Sequence, residues 1–187
     1  MSALLRLQDV ACRRGGRLLF EGLRLKLAAG EAAVLTGPNG VGKSSLIRLA
    51  AGLLRPASGS VEAERAALAD EHLALDERQS LGDALIFWAR LDGGDAKSGM
   101  TAMGLDRLAD VPVRMLSTGQ RKRAVLARVI ASGAPLWLLD EPGNGLDQDG
   151  RDRLAAAMAT HRAGGGAVLA ATHQPLGLDG AQEVRLG

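Results

Sequence analysis

The 187 residues carry 23 Lys and Arg against 21 Asp and Glu, a formal net charge of +2, and 47% are hydrophobic but only 2% aromatic. That length suits one domain with its own core, filled by Ala, Leu and Val, and interleaved charges of nearly balanced sign offer no clustered basic face for nucleic acid. The single cysteine, Cys12, excludes an internal disulfide, reads as a small buried hydrophobe and suits a reducing compartment.

In chain order, residues 4–10 alternate apolar and polar and predict a strand, and 17–27 predict a second, broken at Glu21-Gly22. Ala32-Ala33-Val34-Leu35-Thr36 is short, apolar and followed by a glycine-rich turn, the pattern of a buried strand. Residues 43–54 are helical in period, with Leu46, Leu49, Ala50 and Leu53 on one face and Pro56 closing the segment. Between 62 and 115 two helical segments, 80–91 and 100–108, flank Gly93-Gly94 and read as an insertion. A helix over 117–130, a buried strand at Leu136-Trp137-Leu138-Leu139, a helix over 151–161 and a strand over 167–171 follow. Strands alternating with helices predict a largely parallel sheet in an α/β domain. No apolar run reaches the ~18–20 residues that cross a bilayer, and Met1-Ser2-Ala3-Leu4-Leu5-Arg6 lacks the regions of a secretory signal. The chain is expected to be soluble and cytoplasmic, serving any membrane process from the membrane surface.

Gly37-Pro38-Asn39-Gly40-Val41-Gly42-Lys43-Ser44 matches G-x-x-x-x-G-K-[ST] at every fixed position. The glycines let the backbone curl so that successive N–H groups face phosphate oxygens, and the following helix adds its positive end. Lys43 is placed to reach β- and γ-phosphates, Ser44 to ligate Mg²⁺, and Ser45 lies beside them. Asp140 and Glu141 end a buried strand. Beside a phosphate loop the first acid can hold Mg²⁺ and the second can orient and deprotonate a water.

Here the sequence resembles the ATP-binding-cassette (ABC) family. Leu116-Ser117-Thr118-Gly119-Gln120 resembles its signature, Gly145-Leu146-Asp147 its D-loop and His173 its switch histidine, all in the family's order. The resemblance implies an α/β P-loop NTPase fold of ABC type, with a small helical insertion and an N-terminal antiparallel β part. It implies a single domain over 1–187, with the helical part at about 72–132. It also implies an ATPase using ATP and Mg²⁺, with Lys43, Glu141 and His173 catalytic. Two copies would close on two nucleotides, each held by one P-loop and by Ser117, Gly119 and Gln120 of the other copy, with Asp147 linking the halves. Ser117 and Asp147 could equally be plain helix caps. With no spanning segment, such a chain needs integral membrane permease subunits, and would sit peripherally on the cytoplasmic face of the inner membrane.

Three positions depart from the family pattern. Arg14 falls where an aromatic usually stacks on adenine; a guanidinium can stack on a base too, and Phe20 reads as core. The glutamine that senses Mg²⁺ is replaced by His72 or Glu71, with His72 preferred, since Gln79 lies too near the next helix. Thr118 takes the signature's second position. The stretches 11–20, 85–91 and 171–176 resemble the ATP-binding subunits of the haem exporters of cytochrome c maturation. In that comparison Phe87 and Trp88 read as packing residues, and no haem ligand set is recognisable. The alternatives are the ATPase of another exporter, or a soluble cassette outside transport.

Overall fold

The first two strands, β1 (Ala3–Arg14) and β2 (Arg17–Ala28), form a hairpin whose two-residue turn is Gly15-Gly16. Both glycines have positive φ, 53° and 80°, as the tight turns that match strand twist require. The computed structural model describes residues 3–72 and 74–187. β2 is not broken at Glu21-Gly22: Val10 pairs with Leu23 and Cys12 with Phe20. Two residues of β2, Glu21 and Gly22, thus oppose Ala11 of β1, and Gly22 at φ 65° accommodates the bulge. β4 (Ser58–Ala63) lines the other edge of β1, giving an antiparallel sheet ordered β2-β1-β4.

A second, parallel sheet is ordered β5-β6-β7-β3-β8, comprising β3 (Ala32–Thr36), β5 (Ala66–Ala69), β6 (Leu136–Asp140), β7 (Ala167–Ala171) and β8 (Gln182–Arg185). Its central strands are buried on both faces, which is why they read as unbroken apolar runs. The period of two sorts their side chains between two cores. Leu136, Leu138, Ala167, Leu169 and Ala171 join Leu5, Leu27, Leu35, Leu46 and Ile47 under the antiparallel sheet and α1 (Lys43–Ala50). Trp137, Leu139, Val168 and Ala170 face the opposite core. That core holds residues of α2 (Leu81–Asp92), α3 (Ala96–Ala102), α4 (Thr118–Ala131) and α5 (Gln148–Ala163). Truncating a side chain such as Leu138 to Ala costs about 2–5 kcal/mol.

Helix α1 stops earlier than its period suggests. Gly52 takes a left-handed φ of 71°. Its N–H bonds the Leu49 carbonyl at 3.0 Å, and Leu53 N–H bonds Arg48 at 2.9 Å, the paired bonds of a Schellman stop. Leu53 is consequently 62% exposed rather than on the buried face. α3 lies N-terminal to its expected span because the Asp95 carboxylate caps it, accepting from Lys97 N and Ser98 N at 3.0 and 3.2 Å. Gly99 lets it press on α4, where a β-carbon would collide with the Ala127 carbonyl. Trp88 is a packing residue, donating to the Ala74 carbonyl at 2.7 Å beneath the Arg128 guanidinium. Phe87 packs edge-to-face on the Trp88 ring with centroids 5.6 Å apart, and its outer side is exposed. No described helix is long and apolar enough to cross a membrane.

Candidate functional site

Parallel strands deliver their C-terminal ends to one edge, where loops collect functional groups. β3 feeds the loop 37–42 and then α1. Gly37 and Gly42 have φ of 132° and 118°, which side-chain-bearing residues rarely adopt. A β-carbon on Gly37 would strike the Leu186 carbonyl, and one on Gly42 would lie 3.0 Å from the Phe20 ring. Phe20 thus packs under the loop, as its core assignment expects. Lys43 is buried, and its ammonium donates to the Gly37 and Pro38 carbonyls at 2.7 and 3.1 Å. Its charge therefore sits at the mouth of the curled backbone. Ser44 is exposed on the first turn of α1 and Ser45 is half-buried. Cys12 packs against Ser45, and burial pushes its thiol above the usual range.

From β6, Asp140 and Glu141 enter the same edge, both half-buried. Glu141 adopts a left-handed backbone, φ 46°, which costs a β-carbon-bearing residue on the order of 1–2 kcal/mol. Its N–H is fixed to the Ala171 carbonyl at 2.8 Å, so the turn aims the carboxylate across to the end of β7. There His173 brings Nε2 to 3.5 Å from Glu141 Oε1 and 3.0 Å from Asn39 Oδ1. The Glu141 carboxylate is an acceptor, so the tautomer protonated at Nε2 is the one that bonds it. The P-loop, the end of β6 and the loop after β7 thus converge through side chains up to 134 residues apart.

Sequence reasoning missed two residues here. Thr172 is buried, and its hydroxyl exchanges hydrogen bonds of 3.0 Å with the Gln174 carbonyl and N–H, clamping the turn that carries His173. Lys122 on α4 is half-buried and faces Asp140, Asp70 and Glu141; burial pushes its ammonium below the usual range while those acids pull it back up. The clue was a lysine on the inward face of a helix that follows a motif, which is hard to weigh without the fold.

The remaining candidates lie elsewhere. Ser117 caps α4: its Oγ accepts from Gln120 N at 3.3 Å and its N–H donates to Gln120 Oε1 at 2.9 Å, a capping box. The Gln120 amide is thereby committed to holding Ser117. Asp147 caps α5, accepting from Gly150 N at 2.9 Å, and pairs with Arg123. Ser117, Gly119, Gln120, Gly145 and Asp147 line one cleft of about 330 Å³ that includes no P-loop residue. His72 is exposed, its Nδ1 3.2 Å from Asp70 Oδ2 and its N–H bonded to Asp70 Oδ1. Asp70, whose carboxyl the His72 contacts and Arg48 hold below the usual range against its burial, and Glu71 each lie 3.9 Å from Arg48 of α1. Arg14 stands exposed at the end of β1, next to the hairpin turn and near Cys12.

A phosphate loop between a buried parallel strand and a helix, with two acids ending another strand of the same sheet and Glu141 linked to the loop through His173 and Asn39, defines a P-loop nucleotide-binding domain. The sequence profile of the family described as "ABC transporter" matches residues 20–144. The chain belongs to that family, among the cytochrome c biogenesis ATP-binding export proteins CcmA. It is 59% identical to the protein of that name from Sphingopyxis alaskensis, over 100% of this chain and 98% of that one. It is 60% identical to the one from Novosphingobium aromaticivorans, over 91% and 89%. A solved structure described as the ATP-binding subunit of an ABC transporter superposes with a TM-score of 0.87 at 23% identity, over 98% of this chain and 85% of that one. At that identity the likeness shows the shared fold. As a member of the family the chain binds and hydrolyses ATP.

Proposed function

We propose that the chain is the ATP-driven subunit of the haem exporter of cytochrome c maturation, converting ATP and water to ADP and phosphate. It works as a homodimer, docked to integral membrane permease subunits on the cytoplasmic face of the inner membrane. The observation that carries the catalytic part is the meeting of His173 with Asn39 and Glu141 at the mouth of the P-loop. The name borne by its relatives supports the biological setting.

In this reading the N–H groups of 37–42 and the Lys43 ammonium bind the β- and γ-phosphates, with Ser44 and Ser45 at the start of α1. Among the described residues no cluster of three His, Cys, Asp or Glu side chains forms a metal cage. Ser44 and Asp140 offer two hard oxygens, which fits Mg²⁺ because that ion keeps waters and shares phosphate oxygens. Bound there it supplies charge neutralisation at the phosphates. His72, steadied by Asp70, would be the third residue to hold it. Glu141 accepts a proton from the attacking water as its oxygen bonds the γ-phosphorus. The bond from that phosphorus to the bridging oxygen breaks, and ADP leaves. His173 donates from Nε2 to the γ-phosphate and holds the water in line.

Arg14 stacks on the base in place of an aromatic ring. Ser117 and Gly119 grip the γ-phosphate held by the second copy's P-loop, Gln120 fixes Ser117, and Asp147 stands at the seam. The whole chain acts as one domain with its helical part near 72–132, and the permease docks against that part and the His72 loop. Among the described residues no side-chain set recommends itself as a haem ligand, and in this reading cargo contact falls to the permease.

The test is genetic and biochemical. Cells lacking the chain should lose covalent haem on c-type cytochromes; the wild type should restore it, and Lys43→Ala should not, having lost ATP affinity. Restoration by Lys43→Ala, or unchanged cytochromes without the chain, would refute the proposal.

A further inference from the structure

Arg123 lies one turn into α4 with its side chain only 14% exposed, beneath two carboxylates that are largely exposed. Its guanidinium reaches three residues in two other parts of the chain. One nitrogen pairs with Asp147 Oδ1 of the D-loop-like segment, and another donates to Asp149 Oδ2 on α5 at 2.8 Å. That second nitrogen also lies 3.5 Å from the Met103 carbonyl just beyond α3. Asp147 uses the same oxygen to cap α5, and Asp149 is shared with Arg153 at 2.9 Å. Neighbouring glycines leave room for this network. A β-carbon on Gly150 would lie 3.1 Å from Arg123 Nε, and one on Gly104 would lie 2.8 Å from the Arg153 guanidinium. Gly119 of the signature comes close to the Gly145 carbonyl, at 3.4 Å from where its β-carbon would stand.

We infer that Arg123 is a positioning residue that welds the signature turn to the 145–150 segment, so that both meet the second copy's nucleotide as one rigid body. The inference rests on the dimer reading above and assigns a role to a side chain that touches neither nucleotide nor metal. A planar fork holding two carboxylates fixes orientation as well as distance, which a lysine point charge cannot do. Without the fork, Asp147 and Asp149 repel each other at the cleft where Ser117 and Gly119 are displayed. The P-loop, which lines no part of that cleft, keeps its geometry.

The experiment uses the full chain carrying Glu141→Gln, so that bound ATP persists, with and without Arg123→Gln or Arg123→Lys. ATP affinity is read with a fluorescent ATP analogue at concentrations where the chain is monomeric. ATP-dependent dimerisation is read by sedimentation, and amide hydrogen exchange is followed over 117–121 and 145–150. Arg123→Gln should leave ATP affinity within about twofold, weaken dimerisation at least tenfold and speed exchange in both segments together. Arg123→Lys should recover part of the dimerisation. Unchanged dimerisation, or loss of ATP affinity in parallel with it, would overturn the weld in favour of a general structural role. If the Glu141→Gln parent binds ATP yet stays monomeric, the dimer reading falls, and the exchange arm decides the weld alone. Loosening confined to one segment then refutes it, and joint loosening sustains it.

Discussion

Gly166 sits where α5 turns into β7, and a β-carbon placed on it would collide with the His161 ring. Its φ is not in the left-handed region, so Gly166→Ala meets no backbone penalty there, only the collision of a new methyl group with the imidazole. The ring cannot swing aside: it lies stacked on Trp137 with centroids 3.9 Å apart and planes 9° from parallel. Overpacking of this kind costs about 1–3 kcal/mol, which for a chain of this size lowers Tm by roughly 2–4 °C per kcal/mol. His161→Ala removes the obstacle at its own cost in lost packing. The double variant should then be no worse than His161→Ala alone, an interaction energy of about 1–3 kcal/mol in a double-mutant cycle. Urea denaturation of the four proteins measures it. Additive effects would refute the fixed stack. The site depends on it indirectly, because β7 carries Thr172 and His173 at its other end.

The same imidazole makes stability depend on pH. Burial pushes His161 below its ordinary value of 6.5, so between that value and the lower native one the unfolded chain binds the extra proton. This contribution is complete above about pH 6.5 and is lost as pH falls toward the native pKa. Urea midpoints at pH 7.5, 6.5 and 5.5 should decline, and His161→Phe should flatten that part of the decline. Thr172→Val removes the hydroxyl that clamps the His173 turn. It should cost about 1 kcal/mol of stability and lower kcat while leaving ATP affinity unchanged, as steady-state kinetics and a binding titration would show.

The features legible in the sequence are those whose chemistry is set by backbone geometry over a few residues. The loop 37–44 needs glycines at fixed spacing, and Gly37 and Gly42 occupy conformations that explain the requirement. Strands β3, β6 and β7 announced themselves because burial on both faces erases polar alternation. β4 and β8 did not, since most of their residues are exposed and carry no period. The end of α1 was misplaced because Leu53 continues the helical period, whereas the stop at Gly52 depends on a single dihedral. The link of Asn39 to His173 and the Arg123 network join distant segments, which no local pattern encodes. Asp147 shows the intermediate case: its cap on α5 is local and legible in the sequence, whereas its pairing with Arg123, 24 residues away, is not.

The central claim is that the P-loop and Glu141 act on one nucleotide, the first binding it and the second hydrolysing it. The direct measurement is ATP affinity and steady-state hydrolysis of Glu141→Gln beside the wild type. Affinity should stay within about twofold while the rate falls by roughly 10²–10⁴, the range for loss of a general base. Hydrolysis at the wild-type rate by a variant that binds ATP normally would contradict the account.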